Sequence, residues 1–366
     1  KMEEAKIVIW LLDEQPSASE IEEMKQNRIS EEILATGKKL KSGKDDLRSV
    51  LDDQFHKTLL ALPITGILVF TVIPILFMIL VAFTNYDGAH DGYSNLFTWV
   101  GLSNFNELIS SSSADANLSY TFGEILSWTL MWAFFATFTN YFLGMLVAIL
   151  INKKGIHFKK LWRGILVLTI AVPQFISLLY VSKLFDTNGV VNAMLLKLGF
   201  INQAIRFWEN TTSARILVII INIWVGIPYL MLVSTGILMN IPQDLYESSK
   251  IDGASVWQQY VKITLPYMLF VTGPYLLSQF IGNINNFNVI YLLTNGRPAS
   301  PDLVTSGGSA TTTDLLITWL FNITTGATSN YKLAAVIAIM IFVVVAVLSL
   351  IVYNVIPSTR NEEDYS

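Results

Sequence analysis

The sequence predicts an all-α membrane protein with six transmembrane helices, and three observations carry that reading. Only 14% of the 366 residues are charged while 52% are hydrophobic, and the mean hydropathy is +0.50. Soluble domains hold nearer 25% charged residues. Six stretches are apolar over the roughly 20 residues that a helix needs to cross a bilayer core: 58–84, 126–151, 164–186, 215–239, 267–294 and 332–356. Side chains ionised at neutral pH enter them only near their ends, at Lys183, Asp186, Arg215 and Lys332. That placement is expected where a charge in mid-bilayer costs at least about 2.5 kcal/mol.

Residues 1–55 form a polar, charge-rich N-terminal segment, set apart from a membrane domain over 56–366. Leu40, Leu47, Leu51 and Phe55 recur at helical spacing. They fit an amphipathic helix on the membrane surface or, equally, a solvated arm. After the first span, 85–124 is rich in Gly, Ser, Asn and aromatics and contains no Lys or Arg. The second span is followed by Lys153, Lys154, Lys159, Lys160 and Arg163. Pro173, Pro228 and Pro274 punctuate the next three spans. Each deletes an i to i−4 bond and is expected to kink or open its helix, which a membrane tolerates only beside protein or a watery cavity.

Net charge is −4, but its distribution says more. Eighteen of the 24 Lys and Arg fall in residues 1–57, 153–163, 240–266 and the tail at Arg360. The positive-inside rule therefore puts both termini and loop 241–266 in the cytosol. Within that loop the chain reads Tyr246-Glu247-Ser248-Ser249-Lys250-Ile251-Asp252-Gly253-Ala254, and Glu247 to Ala254 has room for about two helical turns, with Gly253 supplying the positive φ that ends them. Leu265-Pro266 is expected to restart a helix. The product is a short helix lying on the membrane surface.

Two spans carry uncharged polar groups at depth. In 267–294, Gln279, Asn283 and Asn286 fall within about 60° of one another at 100° per residue. In 215–239, Asn222, Val225, Gly226 and Tyr229 share a face by the same arithmetic, with Trp224 nearby. Amides donate and accept without charge, and aromatic faces stack on sugar C–H surfaces. The pattern suits a carbohydrate cavity; the plainer alternative is bonding between helices, worth about 0.6 kcal/mol per group.

Other classes fit less well. Zero cysteines excludes disulfides and thiol catalysis. His56, His90 and His157 lie outside the spans without ligand spacing, so no metal site and no catalytic residue is assigned. An ion-coupled secondary transporter usually shows more spans, an internal repeat and a mid-membrane carboxylate. No G-x-x-x-x-G-K-[ST] segment is present, so any ATP is bound by another polypeptide.

The loop from Glu247 through Gly253 to Ile263-Thr264-Leu265-Pro266 resembles the "EAA" loop of permeases from binding-protein-dependent ABC importers, with Ser248 and Ser249 in place of the two alanines. Trp99-Val100-Gly101-Leu102-Ser103-Asn104-Phe105 resembles the "GLxNF" signature of sugar-importer permeases. Asn222-Ile223-Trp224-Val225-Gly226-Ile227-Pro228-Tyr229, Asn285-Asn286-Phe287, Leu292 to Gly296 and Leu333-Ala334-Ala335 are similar to the larger permease subunit of maltose and maltodextrin importers.

That resemblance implies the type I ABC importer permease fold in a prokaryotic plasma membrane. It implies sugar contact at Asn222, Val225, Gly226, Tyr229, Asn283 and Asn286, with Gln279 standing where serine can occur and Ile170 where tyrosine can. Coupling to an ATPase would fall to Glu247, Ser248, Ser249, Asp252, Gly253 and Ala254. The implied partners are a second homologous permease, two ATP-binding cassette ATPases that bind ATP and Mg, an extracytoplasmic solute-binding protein and an oligosaccharide. No cofactor in this chain and no nucleic acid is implied. Galacto- or raffinose-type sugars stand as alternative cargo.

Overall fold

The computed structural model describes residues 59–87, 97–110, 116–153, 155–294, 296–305, 308–326 and 329–355, with isolated positions 18, 19, 55 and 57. The amphipathic-helix expectation within 1–55 and the tail at Arg360 lie outside the described residues, Phe55 apart. The described residues are helical, with two isolated β-bridges and no strands.

The chain divides into two compact units, Lys1–Phe77 and Met78–Ser366. Helix α1 is Leu59–Val81, with a π turn at Leu68–Val72. Its side chains within the first unit are almost all exposed and apolar around the whole circumference, the signature of a helix that lies in an apolar medium.

The second unit contains α2 (Ser103–Ile109), α3 (Asn117–Asn152), α4 (Lys159–Ala171), α5 (Gln174–Leu184), α6 (Val190–Lys197) and α7 (Thr211–Leu238). It continues with α8 (Gln243–Ile251), α9 (Val256–Gln259), α10 (Leu265–Ile284), α11 (Phe287–Thr294), α12 (Leu316–Thr325) and α13 (Tyr331–Val355).

Among the described residues, four helices are long and apolar enough to cross a membrane: α1, α3, α7 and α13. Six spans are expected; counting the bent pair α4–α5 as one span brings the number to five. The stretch 164–186 is two helices, α4 and α5, bent by 92°. Val172 is extended, at φ −79° and ψ 124°, because the proline ring at 173 crowds a preceding helical residue. The stretch 267–294 is also two helices, broken at Asn285 (φ −98°, ψ 21°). Prolines, tyrosines and Gln279 make α10 less apolar than the other long helices. Pro228 and Pro274, expected to kink or open their helices, lie inside helices that run on without a break. Helix α3 begins nine residues before the expected 126, and Glu124 in that added part pairs with Arg215 of α7 at 2.9 Å.

Helices α3 and α7 form the tightest seam of the unit. A Cβ on Gly144 would fall 2.6 Å from the Cβ of Leu230, and one on Gly226 would fall 2.6–2.9 Å from the Asn140 amide. The pairs 140/226 and 144/230 keep one register, so each helix offers a glycine to a side chain of the other. The same seam ends in Asn152 donating to the Thr235 hydroxyl at 3.2 Å. One apolar cluster packs Trp319 of α12 and Val336 and Ile337 of α13 against Ile125 and Ala133 of α3. A second gathers Trp128, Trp132 and Trp208 around Leu178 and Val218. Asn104 of α2 is buried and donates to the carbonyls of Ala82 and Thr84, both at 2.8 Å.

Candidate functional site

A cavity of about 670 Å³ opens among the second unit's helices, lined from α3, α4, α5, α7, α10 and the α10–α11 break. All seven residues expected to meet a sugar line it: Asn222, Val225, Gly226, Tyr229, Gln279, Asn283 and Asn286. Trp224 and Ile170 line it as well. Among the described residues, the lining holds no Asp, Glu, Lys, Arg or His. Its polar groups are neutral amides and hydroxyls, set against aromatic and aliphatic walls.

Three local devices build this site. In α3, the π turn Phe135–Thr139 adds a residue to one helical turn, and Thr137 within it lines the wall. In α7, the bare Cα of Gly226 lets Asn140 approach, and the Asn140 amide donates to the carbonyls of Ala136 at 2.9 Å and Asn222 at 3.4 Å. Between α10 and α11, Asn286 caps the second helix: its oxygen accepts from the Val289 backbone N–H at 3.2 Å.

The expected single amide stripe is therefore corrected. Asn286 does not continue the helix that carries Gln279 and Asn283; it sits past the break and converges on them from the start of α11. Its amide donates to the Asn283 oxygen at 3.3 Å, and the Asn283 amide donates to the Thr137 hydroxyl at 3.0 Å. The Trp132 indole donates to the Asn283 carbonyl at 3.1 Å. Gln279 is exposed on the cavity wall, as are Tyr229 (50%) and Trp224 (54%). Sequence reasoning missed Thr137, Asn140, Gln174, Ser177 and Tyr275, which also line the cavity. Thr137 and Asn140 lie in an apolar span where no periodicity marks a π turn.

The surface helix is a second feature. Helix α8 starts at Gln243, four residues before the expected Glu247, and has no buried residue. Gly253 has φ +80°; its N–H donates to the Lys250 carbonyl and that of Ala254 to the Ser249 carbonyl, the paired bonds of a glycine-terminated helix. Asp252, Gly253 and Ala254 thus form the stop and not the helix itself. Glu247, Ser248, Asp252 and Gly253 are exposed, while Ser249 faces inward, accepting from the Gln259 amide at 2.8 Å. The chain restarts before Leu265: Ser255 and Gln258 make a reciprocal cap on α9, and a π turn at Tyr260–Thr264 leads into α10. Pro266 lies in the first turn of α10, as expected. Ile251, Val256 and Trp257 stand exposed around this corner. Among the described residues no cluster of His, Cys, Asp and Glu has metal-binding geometry.

Long apolar helices around an uncharged polar cavity define a membrane-embedded solute passage. Residues 140–361 match the family described as binding-protein-dependent transport system inner membrane component, and the chain belongs to that family. It is 36% identical over 319 residues to the maltodextrin transport system permease protein MalC of Streptococcus pneumoniae, covering 85% of this chain and 71% of that protein. It is 38% identical over 302 residues to the galactooligosaccharides transport system permease protein GanP of Bacillus subtilis, covering 82% and 70%. Its fold matches a chain of a bacterial alginate ABC transporter in complex with an alginate pentasaccharide-bound periplasmic protein, with a TM-score of 0.65, 21% identity and coverage of 84% and 95%. The chain is an integral membrane component of a transporter and not an enzyme in its own right.

Proposed function

We propose that the chain is one permease subunit of an ATP-driven importer for uncharged oligosaccharides, with malto-oligosaccharides as its first cargo. The observation that carries this reading is the convergence of Asn222, Gly226, Tyr229, Gln279, Asn283 and Asn286, from two separate stretches of sequence, on one cavity whose lining, among the described residues, holds no Asp, Glu, Lys, Arg or His. Sugar hydroxyls need donors and acceptors together, which amides supply, and their C–H faces suit Trp224 and Tyr229. A carboxylate or ammonium in the same place would favour a charged solute or a coupling ion. The maltodextrin relative supports the first cargo, and the galactooligosaccharide relative favours a second reading, a galacto-oligosaccharide in the same cavity.

In this reading the bent pair α4–α5 and helix α10 also cross, giving six spans, and both termini and α8 face the cytosol of a prokaryote. A second, homologous permease completes the passage. Two ATPases, which hold ATP and Mg, each receive one surface helix, here with Glu247 as the anchoring charge and Ser248, Ser249, Asp252, Gly253 and Ala254 shaping the contact. A solute-binding protein delivers the sugar on the opposite face. ATP-driven closure of the ATPases moves the surface helices together and opens the cavity outward; hydrolysis reverses the motion. Sugar promotes the cycle only through stronger binding to one of the two states. Asn283→Leu is expected to weaken uptake of labelled maltotriose or galactotriose while the ATPases stay attached to the membrane complex. Unchanged uptake of both sugars removes the cavity assignment.

A further inference from the structure

We infer that Thr137 is a positioning residue for the cargo: through the π turn of α3 it fixes which way the Asn283 amide faces the cavity. The inference rests on the sugar-cavity reading and extends it to a residue that supplies no amide of its own.

The argument begins at a group that cannot reverse. A backbone N–H only donates, so Val289 obliges Asn286 to present its oxygen to the first turn of α11. The Asn286 NH₂ group is then left to donate, and its partner is the Asn283 oxygen. The Asn283 NH₂ group in turn must find an acceptor, which is the Thr137 hydroxyl oxygen at 3.0 Å. Polarity thus runs one way from a helix start, across two side-chain amides, into the π turn. Thr137 is 3% exposed and Asn283 is half-buried, so this end of the chain of bonds is shielded from competing water.

The consequence is a defined set of unused functions. Each amide has two N–H donors and two oxygen lone pairs, and this chain of bonds uses one of each. One donor and one acceptor on each of Asn283 and Asn286 remain for a bound hydroxyl. Without an acceptor at 137, Asn283 loses the partner that holds its NH₂ group, and the amide gains freedom to turn away from the productive orientation. The acceptor comes from α3, where Thr137 lies within the π turn and lines the cavity beside Ala136 and Asn140.

The test compares Thr137→Val, which keeps the shape and removes the acceptor, with Thr137→Ser, which restores the hydroxyl. Both are read in the whole importer by uptake of whichever of labelled maltotriose and galactotriose the unaltered complex transports, with solute-binding protein in excess. Loss of one neutral hydrogen bond predicts a half-saturation concentration raised roughly three- to tenfold for Thr137→Val. The maximal rate is expected to stay within about twofold, and Thr137→Ser to recover most of the shift. Asn283→Leu runs beside them. If Asn283→Leu weakens uptake and Thr137→Val does not, the positioning role is wrong and the cavity reading stands. If Thr137→Ser is as impaired as Thr137→Val, the effect is packing and the inference is overturned. If neither sugar is transported, or Asn283→Leu has no effect, the underlying reading fails with it. Should Thr137→Val not assemble in the membrane, Thr137→Ala is read by the same criteria.

Discussion

Gly144 and Gly226 show how much of this molecule is decided by single atoms. Both lie in helices, where glycine is unfavourable by about 1 kcal/mol relative to alanine, so each needs a packing reason. Gly144 has one: an added Cβ would stand 2.6 Å from the Leu230 Cβ and 3.2 Å from its backbone carbon. Gly236, farther along α7, has nothing within 4 Å of the same position. Gly144→Ala is therefore expected to force the α3–α7 seam apart at a cost of about 1–3 kcal/mol, seen as a lowered thermal midpoint of the solubilised protein. Gly236→Ala is expected to leave that midpoint unchanged or raise it. Equal losses from the two substitutions would show that close approach is not what fixes these glycines. The glycines were visible in the sequence, but which of them touches a neighbour was not.

At the scale of the element, the instructive cases are the interruptions. Pro173 breaks a helix while Pro228 and Pro274 do not. The same ring chemistry acts in all three, and the neighbours decide whether the helix runs on. The start of α11 depends on Asn286, whose oxygen caps the Val289 N–H. The end of α8 depends on Gly253 at φ +80°, a conformation any other L-residue adopts at a cost of about 1–2 kcal/mol. Gly253→Ala is accordingly expected to accelerate hydrogen–deuterium exchange of the 243–251 amides by about fivefold or more, with the long helices α3 and α7 unaffected. Unchanged protection across α8 would mean that this turn does not terminate the helix as the geometry indicates.

For the whole molecule, the cavity and the surface helix are separate structures, and the proposed function requires that they communicate. Glu247 is exposed on α8, remote in role from the amides of the cavity. Reversing it with Glu247→Lys is expected to abolish uptake while the protein remains in the membrane in normal amount. Normal uptake with ATPases still attached would remove the coupling role. Asn283→Leu should give the complementary result, weakened uptake with attachment intact. A double-sided outcome of this kind separates a passage from the part that drives it, because each substitution spares the other site's contacts.

The sequence alone determined the solvent and the repertoire of polar groups held at depth. A low content of charge and six apolar stretches require a bilayer, since a buried charge is costly and a lone apolar helix is not. The amides and aromatics at depth, and a polar loop closed by Gly253, were readable because they are violations of an otherwise apolar pattern. Tertiary structure decided how those residues meet. The α10–α11 break brings Asn286 in from a new helix, and the π turn of α3 gives Asn283 an acceptor at Thr137. Periodicity assumes that a helix continues; at the α10–α11 break the Asn283 carbonyl accepts instead from the Trp132 indole, 151 positions away in the chain, and no local pattern marks such a partner.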